Sequence, residues 1–251
     1  MRLLLRSTAA ALCLAGLAAA PVSAQSFNDA QRGEIERIVR DYLVAHPEVL
    51  QEAMSELEKR QNAAELEKQV AGVKQHKEVL FNSSHQVTLG NPKGDVTMVE
   101  FFDYNCGYCK RALSDMLTLL KTDPNLKIVL KEYPVLGPGS VEAAQVAVAA
   151  RMQDRSGKKY LDFHQRLLGG HGPADKARAL AAAKDAGFDM ARIEKDMASD
   201  EVRDTLKENM KVADAIGLNG TPSYIIGSDV VIGAQGYDVL KEKVEAARKG
   251  G

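Results

Sequence analysis

Cys106 and Cys109 have two residues between them in the run Glu100-Phe101-Phe102-Asp103-Tyr104-Asn105-Cys106-Gly107-Tyr108-Cys109-Lys110. The apolar stretch from Val96 to Phe102 reads as a buried strand, and an amphipathic helical pattern starts directly after the first cysteine. Cys106 is therefore expected at a helix N-terminus, where the first amides lack intrahelical partners and the macrodipole favours negative charge. Thiols in such motifs ionise early, with pKa values of roughly 3.5–7.5. Cys109 lies one turn further in, more buried and within reach of a disulfide with Cys106. The pair reads as a reversible two-electron switch. Cys106 attacks foreign disulfides through a mixed disulfide, and Cys109 resolves it. A structural zinc site would need four ligands, and His46, His76, His85, His164 and His171 show no finger-type pairing. A purely structural disulfide across so tight a loop would stabilise little. Two soft thiolates do suit Cu(I), which leaves copper binding open as a function of another class. No resident metal or cofactor is expected.

Six further residues bear on this chemistry. In Gly220-Thr221-Pro222-Ser223, Pro222 opens a strand, where its missing N–H is tolerated. A cis Thr221–Pro222 bond would turn the Thr221 backbone toward the cysteines, where it can pair with an extended client. Glu100 shares a strand face with Met98 and Phe102, so burial should raise its pKa and let it relay the Cys109 proton. Lys131, on the next strand, is a possible charge partner for Glu100. Between the cysteines, Gly107 and an exposed Tyr108 shape the contact with substrate. Asp103 and Tyr104 read as loop packing, and His164 and His171 as surface or packing residues.

The elements that must position these groups follow from periodicity. A short strand is expected at Val87–Leu89, a turn at Asn91–Asp95, and the central strand ahead of Cys106. The cysteine-bearing helix runs to about Lys121, and a strand covers Leu126 to Tyr133. Helices follow at Ser140 to about Arg155, Tyr160–Leu168, Ala174–Ala186, Met190–Met197 and Glu201–Ile216. Ser223–Ile226 and Val230–Ile232 form a hairpin about Gly227-Ser228-Asp229, and Tyr237–Arg248 is a final helix. Strand, helix, strand, helical insertion, hairpin, helix is an α/β, thioredoxin-like order with a helical domain inserted at about 138–216.

Ahead of this domain the chain is helical and highly charged. Phe27 to Ala45 reads as one helix, with Ile35, Ile38, Val39, Tyr42 and Leu43 on one stripe. Pro47 suits the first turn of a second helix reaching about Leu80. Its apolar stripe of Leu50, Met54 and Leu57, then Leu66, Val70 and Val73, is interrupted at Gln61 and Gly72. So thin a stripe needs a partner, which favours an oligomerisation stalk over a helix lying across the catalytic domain. Residues 25–84 are thus expected to be an oligomerisation region and charged linker, and 85–251 the catalytic domain.

Residues 1–24 read as an export signal: Arg2 and Arg6, an apolar run from Ala9 to Ala20, then Val22-Ser23-Ala24. The run is short of the ~20 residues that span a bilayer. Cys13 leaves with it, so the exported chain of about 227 residues keeps only Cys106 and Cys109. A formal net charge of −1 implies neither nucleic acid nor an anionic membrane as partner. With no Trp, aliphatic side chains must build the core.

The Phe101–Lys110 motif, the Thr221-Pro222 pair and the helical insertion together resemble the DsbA-like thioredoxin-fold family of the bacterial periplasm, over about His85 to Arg248. That resemblance implies that Glu100 is the buried glutamate beneath the active site and Lys131 the lysine facing it. Gly107-Tyr108 with Thr221-Pro222 resembles the disulfide isomerases of the family. The N-terminal region, with Ala45-His46-Pro47-Glu48-Val49-Leu50, is similar to the extension of the suppressor-of-copper-sensitivity C (ScsC) proteins, which implies a homo-oligomer, a trimer rather than a dimer. The implied activity is a periplasmic disulfide isomerase acting on misdisulfided exported proteins, kept reduced by a membrane-bound thiol partner and linked to copper tolerance. A dithiol oxidase is the alternative within the same chemistry.

Overall fold

The computed structural model describes residues 27–154 and 156–250. The export signal expected over 1–24 lies outside the described residues, as does Arg155, the expected end of the first insertion helix. The chain divides into two units, residues 1–57 and 58–251.

In the first unit, α1 (Asp29–Ala45) begins with a capping box. The Asn28 side chain accepts the Gln31 N–H, and the Gln31 side chain accepts the Asn28 N–H. The helix closes where the His46 N–H meets the Tyr42 carbonyl at 2.8 Å, and α2 (Glu48–Gln75) starts after Pro47. α1 buries no residue. Ile35, Ile38, Val39 and Tyr42 are exposed, and so are Leu50, Met54 and Leu57 at the start of α2.

The second unit holds the rest of α2, then α3 (Lys77–Asn82), β1 (Val87–Gly90), β2 (Val96–Phe102), α4 (Gly107–Thr122), β3 (Leu126–Glu132) and α5 (Pro138–Arg151). There follow α6 (Lys158–Leu168), α7 (Lys176–Asp185), α8 (Met190–Asp196), α9 (Asp200–Ile216), β4 (Ser223–Ile226), β5 (Asp229–Ile232) and α10 (Tyr237–Gly250). The strands form a sheet in the order β1-β3-β2-β4-β5. β2 and β3 are parallel across the α4 crossover, and the other pairs are antiparallel. This is the thioredoxin-like α/β order expected, with α5–α9 inserted between β3 and β4.

Each sheet face has its own core. Met98 and Phe102 of β2 point into a large cluster with Cys109 and Met116 of α4, the insertion helices and Leu240 and Val244 of α10. Val99 and Phe101, alternating with them, point into a second cluster with Val212 and Ile216 of α9. Val73 and Leu80 belong to that second cluster, which corrects the expected domain start at His85. The end of α2 is part of the catalytic core, and α2 stops at Gln75 rather than continuing to Leu80. Gly72 does not interrupt the helix. A Cβ there would meet the Ala215 carbonyl oxygen at 2.9 Å, so its absence lets α2 approach the end of α9. Lys127 and Lys131 of β3 secure α3 from below, donating to the Phe81 and Val79 carbonyls at 2.7 and 2.8 Å.

Within the insertion, α5 is buried on nearly every side through Ala143, Ala144, Val146, Ala147, Ala149 and Ala150. Small side chains let α6, α7, α8 and α9 all pack against it.

Candidate active site

The chain turns from β2 into α4 at Cys106, the N-cap residue of α4, with extended backbone (φ −75°, ψ 116°). Its N–H donates to the Asp103 carbonyl at 3.0 Å, and its carbonyl accepts the Lys110 N–H at 3.1 Å. α4 holds this place because Cys109, Ala112, Met116 and Leu119 bury one face on the sheet. Both thiols are free. Cys109 is fully buried and Cys106 is 5% exposed. The nucleophile expected at an exposed helix end is thus nearly covered, though it is the more open of the two. Gly107 faces open space, and Tyr108 is 58% exposed with the Arg111 guanidinium 4.4 Å above its ring.

Thr221 and Pro222 reach this point through the β2–β4 pairing, which sets Phe101 opposite Ser223 and Glu100 opposite Tyr224. The Thr221–Pro222 bond is cis. The Cys106 Sγ–H donates to the Thr221 carbonyl oxygen at 3.1 Å. Residues 115 positions apart therefore meet at the sulfur.

Glu100 lies under the cysteines, buried, its Oε2 without a hydrogen-bond partner among the described residues. Burial, assisted by the Asp115 carboxylate, pushes its pKa from 4.5 up to about 8. Burial also pushes the Cys109 thiol far above its ordinary value, with the Glu100 charge as a second cause. Because Glu100 is mostly protonated at neutral pH, burial is the cause that operates there. A carboxyl near 8 is about one-tenth ionised at pH 7, which suits a base that accepts the Cys109 proton and returns it. Tyr224, facing Glu100 across the register, is buried, and its phenol is held neutral by that burial and by the neighbouring Glu100 and cysteines.

Lys131 is not brought to Glu100. It pairs in register with Phe101, not with Glu100, and so points to the other sheet face. Its ammonium lies 3.7 Å from Glu208 Oε1. Burial lowers its pKa to about 8, against the opposing pull of Glu208. The expected Glu100–Lys131 pair is therefore replaced by Lys131–Glu208.

Asp103 frames the site. Its buried carboxylate accepts the N–H groups of Asn105 (2.7 Å), Val135 (2.9 Å) and Leu136 (2.9 Å) and the Ser140 hydroxyl (2.7 Å). This ties the loop before Cys106 to the chain leaving β3. Behind it, Tyr104 contacts both the Tyr160 hydroxyl and His164 Nδ1 at 3.2 Å, and Tyr160 donates to Glu132 at 2.7 Å. Burial holds His164 neutral, with its pKa lowered to about 3, and pushes Glu132 well above the carboxylate range. Asp103, Tyr104 and His164 are packing groups as expected, though with a denser bonding pattern, while His171 is exposed.

Tyr224 and Asp115 were not legible as neighbours of Glu100 from composition. Tyr224 carried one signal: it lies two residues after Pro222 in a strand, hence on one face with it. The distant partners of Asp103 and Asn105, at Val135, Leu136, Ser140 and Ala174, carried none.

A profile for the DSBA-like thioredoxin domain matches residues 97–245. A second, for the copper resistance protein ScsC N-terminal domain, matches residues 31–64. Among solved structures, a thioredoxin-like oxidoreductase from Silicibacter pomeroyi DSS-3 is 42% identical, with a TM-score of 0.65 over 68% of this chain and 97% of its own. A linker-deletion variant of Proteus mirabilis ScsC is 28% identical, with a TM-score of 0.68 over 91% of this chain and all of its own. The thiol-disulfide exchange protein alpha-DsbA2 from Wolbachia pipientis is 29% identical, with a TM-score of 0.67 over 73% of this chain and 97% of its own. Among curated proteins, a Na(+)/H(+) antiporter NhaA 1 of Salinispora arenicola is 27% identical over 157 residues, 62% of this chain. The chain spans about a quarter of the length of such curated relatives. Among the described residues no helix is long and apolar enough to cross a membrane. With the first of two free cysteines capping a helix, a cis-proline loop on its sulfur and a family profile over residues 97–245, the chain belongs to the DSBA-like thioredoxin-domain family of oxidoreductases, with an N-terminal segment of the ScsC type.

Proposed function

We propose that this protein is a periplasmic disulfide isomerase that works with Cys106 and Cys109 reduced. The observation that carries the exchange chemistry is the Cys106 sulfur, 3.1 Å from the Thr221 carbonyl at the mouth of α4, with Cys109 buried behind it. The Cys106 thiolate attacks one sulfur of a client disulfide. A Cys106–client disulfide forms, the client S–S bond breaks, and the second client sulfur leaves as a thiolate. That thiolate, or another in the client, attacks a different disulfide. A client thiolate finally displaces Cys106, which regains its free form with no net change in electrons. If the client stalls, Cys109 gives its proton to ionised Glu100 and attacks Cys106. The reduced client leaves and a Cys106–Cys109 disulfide remains. Two electrons from a membrane-bound thiol reductant then reset the pair.

The apolar face of α1 and early α2 supports isomerase over oxidase. Exposed Ile35, Ile38, Tyr42, Leu50 and Met54 suit assembly of several copies, and the choice of three rather than two rests on the ScsC resemblance alone. Several reactive sulfurs around one client raise effective concentration without new contacts. Reactivation of scrambled ribonuclease tests this. The reduced full chain is expected to exceed a chain starting at Glu58 by at least ~10-fold per active site. Equal rates would remove the assembly argument. Isolation from cells with Cys106 and Cys109 bridged would point to an oxidase.

The ScsC-type N-terminal match favours a second role in copper tolerance. The Cys106 and Cys109 thiolates would be the protein's ligands for Cu(I). Stoichiometric Cu(I) binding that is lost in Cys106→Ser would support it, and binding unchanged by that substitution would exclude it.

A further inference from the structure

The cysteine motif is fastened on both flanks to the same loop of the insertion. On one flank, Asn105 immediately precedes Cys106. Its side-chain amide donates to the Ala174 carbonyl at 2.8 Å and to Ser140 Oγ at 2.9 Å, and its Oδ1 accepts the Ala174 N–H at 2.7 Å. On the other flank, Lys110 immediately follows Cys109. Its ammonium donates to the carbonyls of Gly170 at 3.3 Å and Gly172 at 3.2 Å. Residues 169–175, between α6 and α7, therefore lie alongside the motif. Gly172 takes a left-handed conformation (φ 79°). His171, between the two glycines whose carbonyls hold Lys110, is exposed.

Asn105 reaches the buried Ala174 and Ser140 at the edge of the core, whereas Lys110 reaches the part of the loop nearer solvent. Asn105 and Lys110 are only half-buried, and residues 171–173 of the loop are exposed. Neither side chain contributes to the α4 packing face, which is Cys109, Ala112, Met116 and Leu119. What the bonds do is fix the loop relative to the residues on either side of the reactive sulfurs.

We propose that Asn105 and Lys110 are positioning residues that hold loop 169–175 as a wall of the client cleft, with His171 as its client-facing side chain. The proposal rests on the reading of Cys106 as an exchange nucleophile and extends it to how a client is held. Because Cys106 is nearly covered, an incoming disulfide reaches it only along a restricted path, and the chain on either side of that disulfide must lie against the rim. A wall bonded to both flanks of the motif keeps a constant distance from the sulfur. Fixing a reactant in this way accelerates attack on a polypeptide client. It does little for a small disulfide, which touches nothing beyond the sulfur.

The test is single-turnover attack by the reduced full chain on two substrates, a cystine-bridged peptide and hydroxyethyl disulfide. The readout is the ratio of the two rate constants. Asn105→Ala and Lys110→Met are each expected to lower that ratio about 10-fold, and His171→Ala is expected to lower it as well. Because both fasteners hold one loop, the double variant is expected to lose less than the product of the single losses. Lys110→Met removes only a side chain at the surface, so it gives an answer even if Asn105→Ala fails to fold. A parallel slowing on both substrates, or an unchanged ratio in both single variants, overturns the proposal alone. A wild-type chain that attacks neither substrate overturns the exchange reading, and the proposal falls with it.

Discussion

Glu100 and Lys131 sit on adjacent strands but on opposite faces of the sheet. Glu100 is in register with Leu130, and Lys131 with Phe101. One carboxyl, raised by burial and by Asp115, therefore serves the cysteine side, with no ion pair to a cation among the described residues. One buried ammonium serves the other side, where it donates to the Val79 carbonyl at 2.8 Å and faces Glu208. The two groups have separable effects, and each can be tested by itself.

Glu100 should make the reduced protein less stable as pH rises. Its carboxyl is raised from 4.5 to about 8 in the folded chain. Its contribution is present in full below about 4.5 and is lost as pH climbs toward 8, because the unfolded chain releases the proton first. The loss over that window is on the order of 5 kcal/mol. Urea unfolding at pH 5 and pH 8.5 is expected to show wild type losing far more stability between the two than Glu100→Gln. Parallel pH dependences would show that Glu100 is not held protonated.

Lys131→Met should weaken the fold and spare the chemistry. It removes the ammonium that caps α3 and leaves Glu208 without that partner, at a cost of roughly 1–3 kcal/mol. The pH profile of Cys106 alkylation is expected to match wild type, since Lys131 points away from the site. A shifted profile with unchanged stability would reverse the assignment of the two sheet faces.

A chain starting at Glu58 should fold, and one starting at His85 should be severely destabilised. The shorter chain lacks Val73 and Leu80 from the second core cluster and leaves Lys127 and Lys131 without the carbonyls they bond. Loss of two buried aliphatic side chains alone is worth roughly 3–6 kcal/mol. Thermal unfolding monitored by far-UV circular dichroism compares the two. Equal midpoints would show that the segment from Gln69 to Leu80 is dispensable to the core.

The element order and the cysteine pair were legible in the sequence because their signals are local. Alternation marks β2, the cysteine spacing marks the turn into α4, and Gly220-Thr221-Pro222 announces the loop before β4. The face of Glu100 followed from period-two alternation with Met98 and Phe102. The partner of Lys131 did not follow, because strand register decides it and no short-range signal fixes the offset between β2 and β3. The start of the catalytic unit was misplaced for a related reason. Gly72 looks like a helix interruption until Ala215 of α9 is found against it. The bonds of Asp103 and Asn105 reach Ser140 and Ala174, 35 to 69 residues away, and only the folded chain brings them together.

The central claim is that Cys106 attacks and Cys109 resolves, and disulfide mapping in two single-cysteine variants tests it most directly. Cys109→Ser, incubated reduced with a cystine-bridged peptide, is expected to accumulate a stable mixed disulfide that mass spectrometry places on Cys106. Cys106→Ser is expected to accumulate none, because the Cys109 sulfur is fully buried and its thiol is held protonated. A mixed disulfide on Cys109, or no adduct with either variant, would contradict the account.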